Sequence, residues 1–315
     1  MLSLAPFQGI TDAVFRNVYQ RHFRGIDRFY TPFFTGIQKD NSKNLREEEI
    51  GIKYNDVNIT VPQILSADAE EITRFAKFCK SLGYKEINLN MGCPFPRVAN
   101  KVRGCGLMTQ PEKVRTILTK VFDEIDIALS IKCRLGYYKA EEIYDFIDIF
   151  NTLPFSEVII HPRIGKQLYS GNADIDAFKQ LIPLINKNLV YNGDINDVVF
   201  FERLKTKIPE TKNFMLGRGL LTNPFLAEKI RNLPPAPHEK QRLHDFMYDI
   251  YLERLRHAGG SPKVLGRMKE LWSYTMNIFD NPINVWRKIK KINDLNEYET
   301  AVEEIFRDME INISF

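Results

Sequence analysis

Short apolar runs rich in β-branched and aromatic residues alternate with amphipathic segments through most of the chain. Ser66 and Asn196 supply capping side chains near the starts of two amphipathic segments. This alternation predicts a (β/α)8 TIM barrel, a fold of typically ~250 residues, whereas an open doubly wound sheet usually begins with a Gly-x-Gly-x-x-Gly turn that the chain lacks. The predicted strands are residues 2–5, 28–33, 59–65, 86–90, 127–133, 157–161, 189–192 and 214–216, and the predicted helices include residues 68–82, 111–122, 140–150 and 198–205.

The pattern changes at residues 234–237, Pro-Pro-Ala-Pro, because every later segment has helical periodicity. We therefore predict a barrel domain at residues 1–235 and an all-helical domain at residues 236–315. The helices expected in the second domain are residues 243–257, 263–278, 285–292 and 298–309.

Composition narrows the class of protein. The chain has 315 residues, a net charge of +4 and no apolar run of membrane-spanning length, and its first residues lack the features of a secretory signal. Its four cysteines lack the paired spacing of zinc sites, which favours a reducing cytoplasm and predicts neither disulfides nor a metal. The mild positive charge permits a polyanionic partner. We expect a cytoplasmic protein without a membrane segment, with a monomer as the default state.

A cysteine stands directly after the fourth predicted strand, in residues 88–94, Asn-Leu-Asn-Met-Gly-Cys-Pro. Gly92 permits a sharp turn and Pro94 stiffens the exit, so Cys93 is held at the carboxyl end of a strand, where barrel enzymes carry their chemistry. The alternative interpretation, a small buried hydrophobic residue, suits Cys79 and Cys133 better.

Two glycine-containing loops follow the last two predicted strands, Asn192-Gly193-Asp194 and Gly217-Arg218-Gly219. Loops at these positions of a barrel commonly bind phosphate, since glycine N–H groups can approach an anion and an arginine adds charge. Either loop alone could be an ordinary turn, but together they predict a phosphate site.

Three further polar residues, Gln63, Lys132 and His161, lie on three different predicted strands. A lone lysine in a strand is usually an exposed edge residue, and a lone histidine is usually structural. Three polar groups at corresponding heights favour a bound cofactor with several heteroatoms, and a flavin fits because a cation stabilises the negative charge of its reduced ring.

These motifs, taken in order, resemble the dihydrouridine synthase family, flavin enzymes that reduce uridine in RNA. The resemblance begins with residues 4–12, continues through residues 88–94 and spans nearly the whole chain. The other motifs that carry it are residues 132–136, 161–163, 169–171, 192–194 and 217–219.

The resemblance implies an FMN-dependent oxidoreductase that reduces the C5–C6 bond of uridine, with NADPH as reductant and Cys93 as proton donor. An ordinary thiol suits a general acid because its pKa of ~8.5 leaves it protonated at neutral pH. The implied contacts to the FMN ring are Pro6, Phe7, Gln8, Gln63, Lys132 and His161, and those to its phosphate are Asn192, Gly193, Asp194, Gly217 and Arg218.

A paired uridine must leave its stack to reach a flavin, and its polar edge then needs partners. Asn90, Arg134 and Arg163 are our candidates for substrate binding. RNA binding would also use basic side chains, and the candidates are Arg287, Lys288, Lys290 and Lys291 in the helical domain and Lys101 and Arg103 after Cys93.

The residues leave alternatives open. A flavin-dependent reductase of a free pyrimidine or another small molecule would share the barrel but would not need the helical domain. A non-catalytic RNA-binding protein would have no evident use for Cys93 and the phosphate loops. The substrate is expected to be RNA, with tRNA favoured over ribosomal RNA.

Overall fold

The computed structural model of the chain describes residues 1–38 and 45–312, and within them nine parallel strands form one sheet. The order of the strands in the sheet is β3-β2-β1-β9-β8-β7-β6-β5-β4. Their bounds are β1 (Leu2–Leu4), β2 (Arg28–Tyr30), β3 (Thr60–Val61), β4 (Gln63–Ile64), β5 (Glu86–Met91), β6 (Ala128–Gly136), β7 (Val158–Ile164), β8 (Leu189–Tyr191) and β9 (Asn213–Leu216).

The two edge strands of this order are one strand interrupted at Pro62. Proline cannot donate a hydrogen bond to a neighbouring strand, so the backbone hydrogen bonds pass from one neighbouring strand to the other at this residue. β3 pairs with β2 through Thr60 and Phe29, and β4 pairs with β5 through Gln63 and Asn88. The sheet therefore closes on itself as a barrel of eight parallel strands, and the predicted (β/α)8 barrel is confirmed.

The helices are α1 (Ala13–His22), α2 (Glu47–Ile50), α3 (Ala69–Ser81), α4 (Pro96–Ala99), α5 (Pro111–Glu124), α6 (Ile147–Thr152), α7 (Ile175–Leu181), α8 (Val198–Lys207), α9 (Arg218–Thr222), α10 (Leu226–Ile230), α11 (Glu239–His257), α12 (Val264–Thr275), α13 (Pro282–Ile289) and α14 (Leu295–Asp308). The segment predicted as one helix at residues 140–150 divides into a 3-10 helix, Ala140–Phe146, followed by α6. None of the helices in the described residues has the length and apolar character needed to cross a bilayer.

The chain forms two compact units. The first consists of Met1–Pro6, Asp27–Asp194 and Arg203–Leu216, and it contains the whole sheet. The second consists of Phe7–Ile26, Ile195–Glu202 and Gly217–Phe315. The predicted division into domains at residues 1–235 and 236–315 stays a prediction.

Helix α3 illustrates how local sequence sets the elements of the first unit. Asp68 caps its first turn, since the carboxylate accepts a hydrogen bond from the Glu70 N–H at 2.9 Å. Its buried face includes Ile72, Phe75 and Cys79. Gly83 ends the segment with a φ of +94°, a left-handed conformation that favours glycine.

The second unit has an aromatic core of its own. Trp272 on α12 is fully buried, and its Nε1 donates to the Tyr298 hydroxyl on α14 at 3.0 Å. Phe15 on α1 packs edge-on against Phe246 on α11, with ring centroids 5.7 Å apart. These contacts bring α1, from the beginning of the chain, into the same unit as the last four helices.

The amino end of the barrel interior holds charged rather than apolar side chains. Arg28 Nη2 lies 2.5 Å from Glu86 Oε2, and its Nη1 lies 3.5 Å from Glu157 Oε1. The Tyr30 hydroxyl donates to Glu157. Burial, followed by the neighbouring Glu86 charge, raises the pKa of the Glu157 carboxyl above its ordinary value of 4.5. Arg28 thus forms ion pairs with two buried carboxyl groups.

We predict that Glu157→Gln will stabilise the protein at pH 8 more than at pH 5. Because the pKa of Glu157 is raised in the folded state, folding favours its protonated form. Its stabilising contribution is complete below the unfolded pKa and falls as pH rises through the folded pKa. The neutral amide still accepts from Tyr30 and avoids that loss. The measurement is the free energy of unfolding in urea at both pH values.

The matched control is Glu86→Gln, which removes the closest carboxylate from Arg28 and should lower the free energy of unfolding. A Glu157→Gln variant that is destabilised equally at both pH values would contradict a raised pKa of Glu157 in the folded protein.

Candidate active site

The polar residues of β5, β6 and β7 share the inner face of the barrel. Side chains alternate along a strand, and the register pairs Asn90 with Lys132 and Arg134 with His161. Since the carboxyl ends of parallel strands meet at one end of a barrel, these four side chains are brought together there.

A ladder of buried side chains crosses the barrel below this end. Ser130 Oγ accepts a hydrogen bond from Asn88 Nδ2 at 2.9 Å, and Asn88 Oδ1 accepts from Gln63 Nε2 at 2.8 Å. Gln63 Oε1 in turn accepts from Asn90 Nδ2 at 2.8 Å. Buried polar atoms without partners are costly, so this ladder fixes the orientation of every amide in it.

Asn90 connects the ladder to Cys93. Its Oδ1 accepts from the backbone N–H groups of Gly92 and Cys93, at 3.0 and 2.8 Å. Gly104 also lies close to this turn: its φ is +54°, and a Cβ atom there would lie 2.8 Å from the Cys93 carbonyl oxygen. The turn that carries Cys93 is therefore held by Asn90 and packed closely against Gly104.

The Cys93 thiol is half-buried and remains protonated. Burial raises its pKa, and this effect outweighs the opposite effects of the Phe95 N–H and the positive charges of Arg134 and Arg97. A thiol of this kind holds its proton at neutral pH and can donate it to a bound molecule.

Cys105 is unsuited to replace Cys93. It is fully buried, its thiol donates to the Gly136 carbonyl at 3.3 Å, and burial raises its pKa to about 12. Cys79 and Cys133 are also fully buried, as predicted for structural cysteines.

Arg134 joins the loop after β5 to the end of β7. Its Nε donates to the Gly92 carbonyl at 3.1 Å and its Nη1 to the Ile164 carbonyl at 3.0 Å. Its guanidinium lies 5.5 Å from the centre of the Tyr169 ring. The Nη2 group has no hydrogen-bond partner in the part of the chain that the structure describes, so it can still donate to a ligand.

Arg163 is only 2% exposed and uses all five of its N–H donors within the protein. It forms a bidentate pair with Asp194, at 2.9 and 2.7 Å, and donates to the carbonyls of Ser170 and Gly171. The fifth bond goes to His161 Nε2 at 3.0 Å. The geometry therefore makes Arg163 a support for neighbouring residues, and its predicted contact to substrate stays a prediction.

The bond from Arg163 determines the protonation of His161. Arginine cannot accept a hydrogen bond, so His161 Nε2 must be the acceptor. The imidazole is consequently neutral, with its proton on Nδ1. Any hydrogen bond that the His161 ring donates must therefore come from Nδ1, whereas its Nε2 is turned to Arg163.

Lys132 is the second cation of the cluster. Burial, together with the nearby Arg134 charge, lowers its pKa to about 8. Its ammonium group has no ion pair or hydrogen bond with any residue in the ranges 1–38 and 45–312. Such a group gains from an acceptor or a negative charge on a bound molecule.

The remaining predicted residues divide between the units. In the first, Pro6 is half-buried, Asn192 Nδ2 donates to the Met215 carbonyl at 2.8 Å, and a Cβ atom on Gly193 would lie 2.8 Å from the Ala173 Cβ. The second unit contains Phe7, Gln8, Gly217 and Arg218. All of their predicted cofactor contacts stay predictions.

The family model described as Dihydrouridine synthase (Dus) matches residues 3–310. The chain belongs to this family. A tRNA-dihydrouridine synthase B of Pasteurella multocida is 27% identical over 265 residues, which cover 77% of each chain. A probable tRNA-dihydrouridine synthase of Staphylococcus epidermidis is 30% identical over 260 residues, which cover 79% of this chain and 78% of the relative. The predicted family is therefore confirmed.

Two solved structures have a similar fold. Histamine dehydrogenase from Rhizobium sp. 4-9 aligns with a TM-score of 0.53 and 12% identity, over 86% of this chain and 48% of that chain. A morphinone reductase mutant in complex with tetrahydroNAD aligns with a TM-score of 0.50 and 10% identity, over 73% and 86% of the two chains. At these identities the likeness concerns the fold alone.

Sequence reasoning missed the supporting residues of the site. Asn88 and Ser130 were not predicted, although each is a polar residue at an inward position of an otherwise apolar strand, which is a usable signal. Among the described residues, no group of three or more His, Cys, Asp or Glu side chains is arranged to hold a metal ion.

We predict that Arg163→Lys will release His161 from its single tautomer. Lysine keeps the positive charge but cannot serve five acceptors, so the free energy of unfolding should fall by about 2 kcal/mol or more. The chain has five histidines, and 15N-histidine labelling followed by NMR would report the change from Nδ1–H alone to a mixture of tautomers.

The matched control is Arg115→Lys, since Arg115 forms an exposed pair with Asp148 at 2.6 Å. That variant should change the free energy of unfolding by less than about 0.5 kcal/mol. An Arg163→Lys protein with unchanged urea midpoint and unchanged Nδ1–H signal would disprove the supporting role.

Proposed function

We propose that the protein reduces the C5–C6 double bond of uridines in tRNA to give 5,6-dihydrouridine. The observation that carries this proposal is the half-buried, protonated Cys93 thiol, held by Asn90 in a chain of the dihydrouridine synthase family. The Pasteurella multocida and Staphylococcus epidermidis relatives are both named tRNA-dihydrouridine synthases, which supports tRNA as the substrate. The proposed enzyme acts in the cytoplasm as a monomer.

FMN is the proposed cofactor, and NADPH the proposed reductant. The inner face of the first unit supports this choice because the Lys132 ammonium offers a donor to a ring rich in acceptors. A cation beside the ring also suits the negative charge of a reduced flavin. When bound, reduced FMN supplies the hydride that adds to C6 of the uracil.

Cys93 then supplies the proton at C5. Its raised pKa keeps the proton on sulfur until the base is in place. Arg134 Nη2 is the proposed donor to a uracil carbonyl, and the N–H of Asn90 Nδ2 that is not bonded to Gln63 is proposed as a second donor. The uridine has to be flipped out of its stack to reach these groups.

The proposal is tested by two measurements on the wild-type protein. Visible absorbance of the purified protein, with flavin identified after denaturation, tests the cofactor. Mass mapping of dihydrouridine in RNA from a strain lacking the chain, compared with its parent, identifies the RNA and the position. An unchanged dihydrouridine map would overturn the proposed activity, and product formation from free uracil but not from RNA would favour a small-molecule reductase.

We predict that Cys93→Ala will retain FMN and tRNA binding but lose about 10²- to 10⁴-fold in turnover, because the carbanion at C5 loses its proton donor. Single-turnover formation of dihydrouridine is the measurement. Cys79→Ala is the control, since Cys79 is a buried cysteine on the outer helix α3 and should leave turnover unchanged. Near-normal turnover by Cys93→Ala would assign the proton to another group.

The helical region after residue 236 is proposed to orient the tRNA. Of the basic residues near Trp286, Arg287, Lys290 and Lys291 are exposed, while Lys288 is paired with Glu304. The three exposed cations form no ion pair within the described ranges of the chain. Three such charges on one short segment suit contacts to phosphates, which fix position without reading sequence.

We predict that replacing Arg287, Lys290 and Lys291 together by alanine will weaken tRNA binding and flatten its salt dependence. Each lost phosphate contact should reduce the slope of log K against log salt by about 0.7 to 0.9. The control replaces Lys53, Lys113 and Lys179, which removes the same charge from exposed positions of the first unit. Equal slopes for the two triple variants would show that the C-terminal charges are only a solvated helix face.

A further inference from the structure

We propose that the loops after β5, β6 and β7 form a second RNA contact, a rim surface that binds single-stranded nucleotides next to the flipped uridine. This inference rests on the proposed function. The rim surface is defined by six exposed side chains, Phe95, Arg97, Lys101, Tyr138, Lys139 and Lys166.

Charge is the first argument. Residues 92–103, 137–139 and 165–172 contain five basic side chains and no acidic one, the five being Arg97, Lys101, Arg103, Lys139 and Lys166. None of the five forms an ion pair within the described residues, although Arg103 donates to the Thr35 hydroxyl at 3.4 Å. Two other cations on the surface of the first unit are neutralised, because Lys80 is paired with Asp126 and Arg115 with Asp148. An unneutralised cluster of this kind suits a polyanion.

The exposed aromatic rings are the second argument. Tyr138 is 61% exposed, Phe95 45% and the neighbouring Tyr169 40%. Each ring has a cation beside it. The Lys166 ammonium lies 5.3 Å from the Tyr138 ring centre, and the Arg97 guanidinium 6.0 Å from that of Phe95. Aromatic faces for stacking bases, next to cations for the backbone, are the combination by which proteins bind single-stranded nucleic acid.

The rim surface is also fixed in shape. The Lys166 N–H donates to the Tyr137 carbonyl at 3.0 Å, and a Cβ atom on Gly165 would lie 2.3 Å from the Tyr137 ring. The N–H groups of Tyr138 and Lys139 both donate to the buried Glu142 carboxylate at 3.3 Å. The loops after β6 and β7 are thus packed together, and their backbone is held by hydrogen bonds. Binding therefore costs less conformational entropy than it would in flexible loops.

The position of the rim surface identifies its occupant. Phe95 follows Cys93 by two residues, and the three loops follow three adjacent strands whose inner side chains form the candidate site. Because Phe95 lies two residues beyond Cys93, we expect a polynucleotide with one base at Cys93 to continue over these loops. We therefore assign the surface to the nucleotides that flank the target uridine.

The test uses the full-length protein with three rim residues changed together, Arg97→Ala, Tyr138→Ala and Lys166→Ala. The probes are a fluorescent single-stranded oligoribonucleotide containing uridine and an unmodified tRNA transcript, each titrated at several salt concentrations. Loss of one stacking contact and two cations should weaken binding of both probes by about tenfold or more, with a smaller salt slope. Flavin content and the urea midpoint should equal those of the wild type.

The matched control is Tyr144→Ala with Lys113→Ala and Lys179→Ala. Tyr144 is 43% exposed, but it stands next to Asp145 and its hydroxyl donates to Gln180 at 3.1 Å. This variant should bind both probes within about twofold of the wild type.

Two results separate this inference from the function on which it rests. If the wild type and the rim variant form dihydrouridine and bind both probes equally, the rim surface is overturned while the proposed activity stands; a surface meant for a protein partner would give that result. If the wild type forms no dihydrouridine in any RNA, the proposed function itself fails.

Discussion

The active end of the barrel depends on the line of hydrogen bonds from Ser130 through Asn88 and Gln63 to Asn90. These side chains are buried inside a barrel, where a polar atom without a partner costs about 1–3 kcal/mol. Each amide can satisfy its neighbour only in one orientation, so the last one is aimed at the turn that carries Cys93. The position of the thiol is therefore set by a line of buried side chains that begins at Ser130 and Asn88.

Burial shifts the pKa values of Cys93 and Lys132 in opposite directions. At Cys93 it raises the pKa against the pull of two arginines, and desolvation is the larger effect, so the acid keeps its proton. At Lys132 burial and the Arg134 charge act in the same direction and bring the pKa to about 8. One low-dielectric site thus holds a protonated thiol together with a lysine that gains strongly from an electron-rich partner.

Arginine residues bind the loops of this site to its strands. Arg134 donates to a carbonyl of the loop after β5 and to the last carbonyl of β7, and Arg163 connects His161, Asp194 and the loop at Ser170 and Gly171. The sequence predicts both arginines to bind substrate. The contacts of Arg163 occupy all of its donors, whereas Arg134 keeps donors for a ligand. The sequence suggests the same role for both arginines, but only Arg134 has N–H groups left to bind a ligand.

The sequence by itself determined the alternation of strands and helices, the family and the placement of Cys93 after a buried strand, because periodicity and local turn residues are properties of neighbouring positions. It did not determine that Pro62 divides one strand between two partners and so closes the barrel, nor that α1 packs against α11. Those outcomes depend on which distant segments meet. The same holds for the His161 tautomer and the pKa of Lys132, since desolvation and hydrogen-bond partners come from residues that only the tertiary structure brings together.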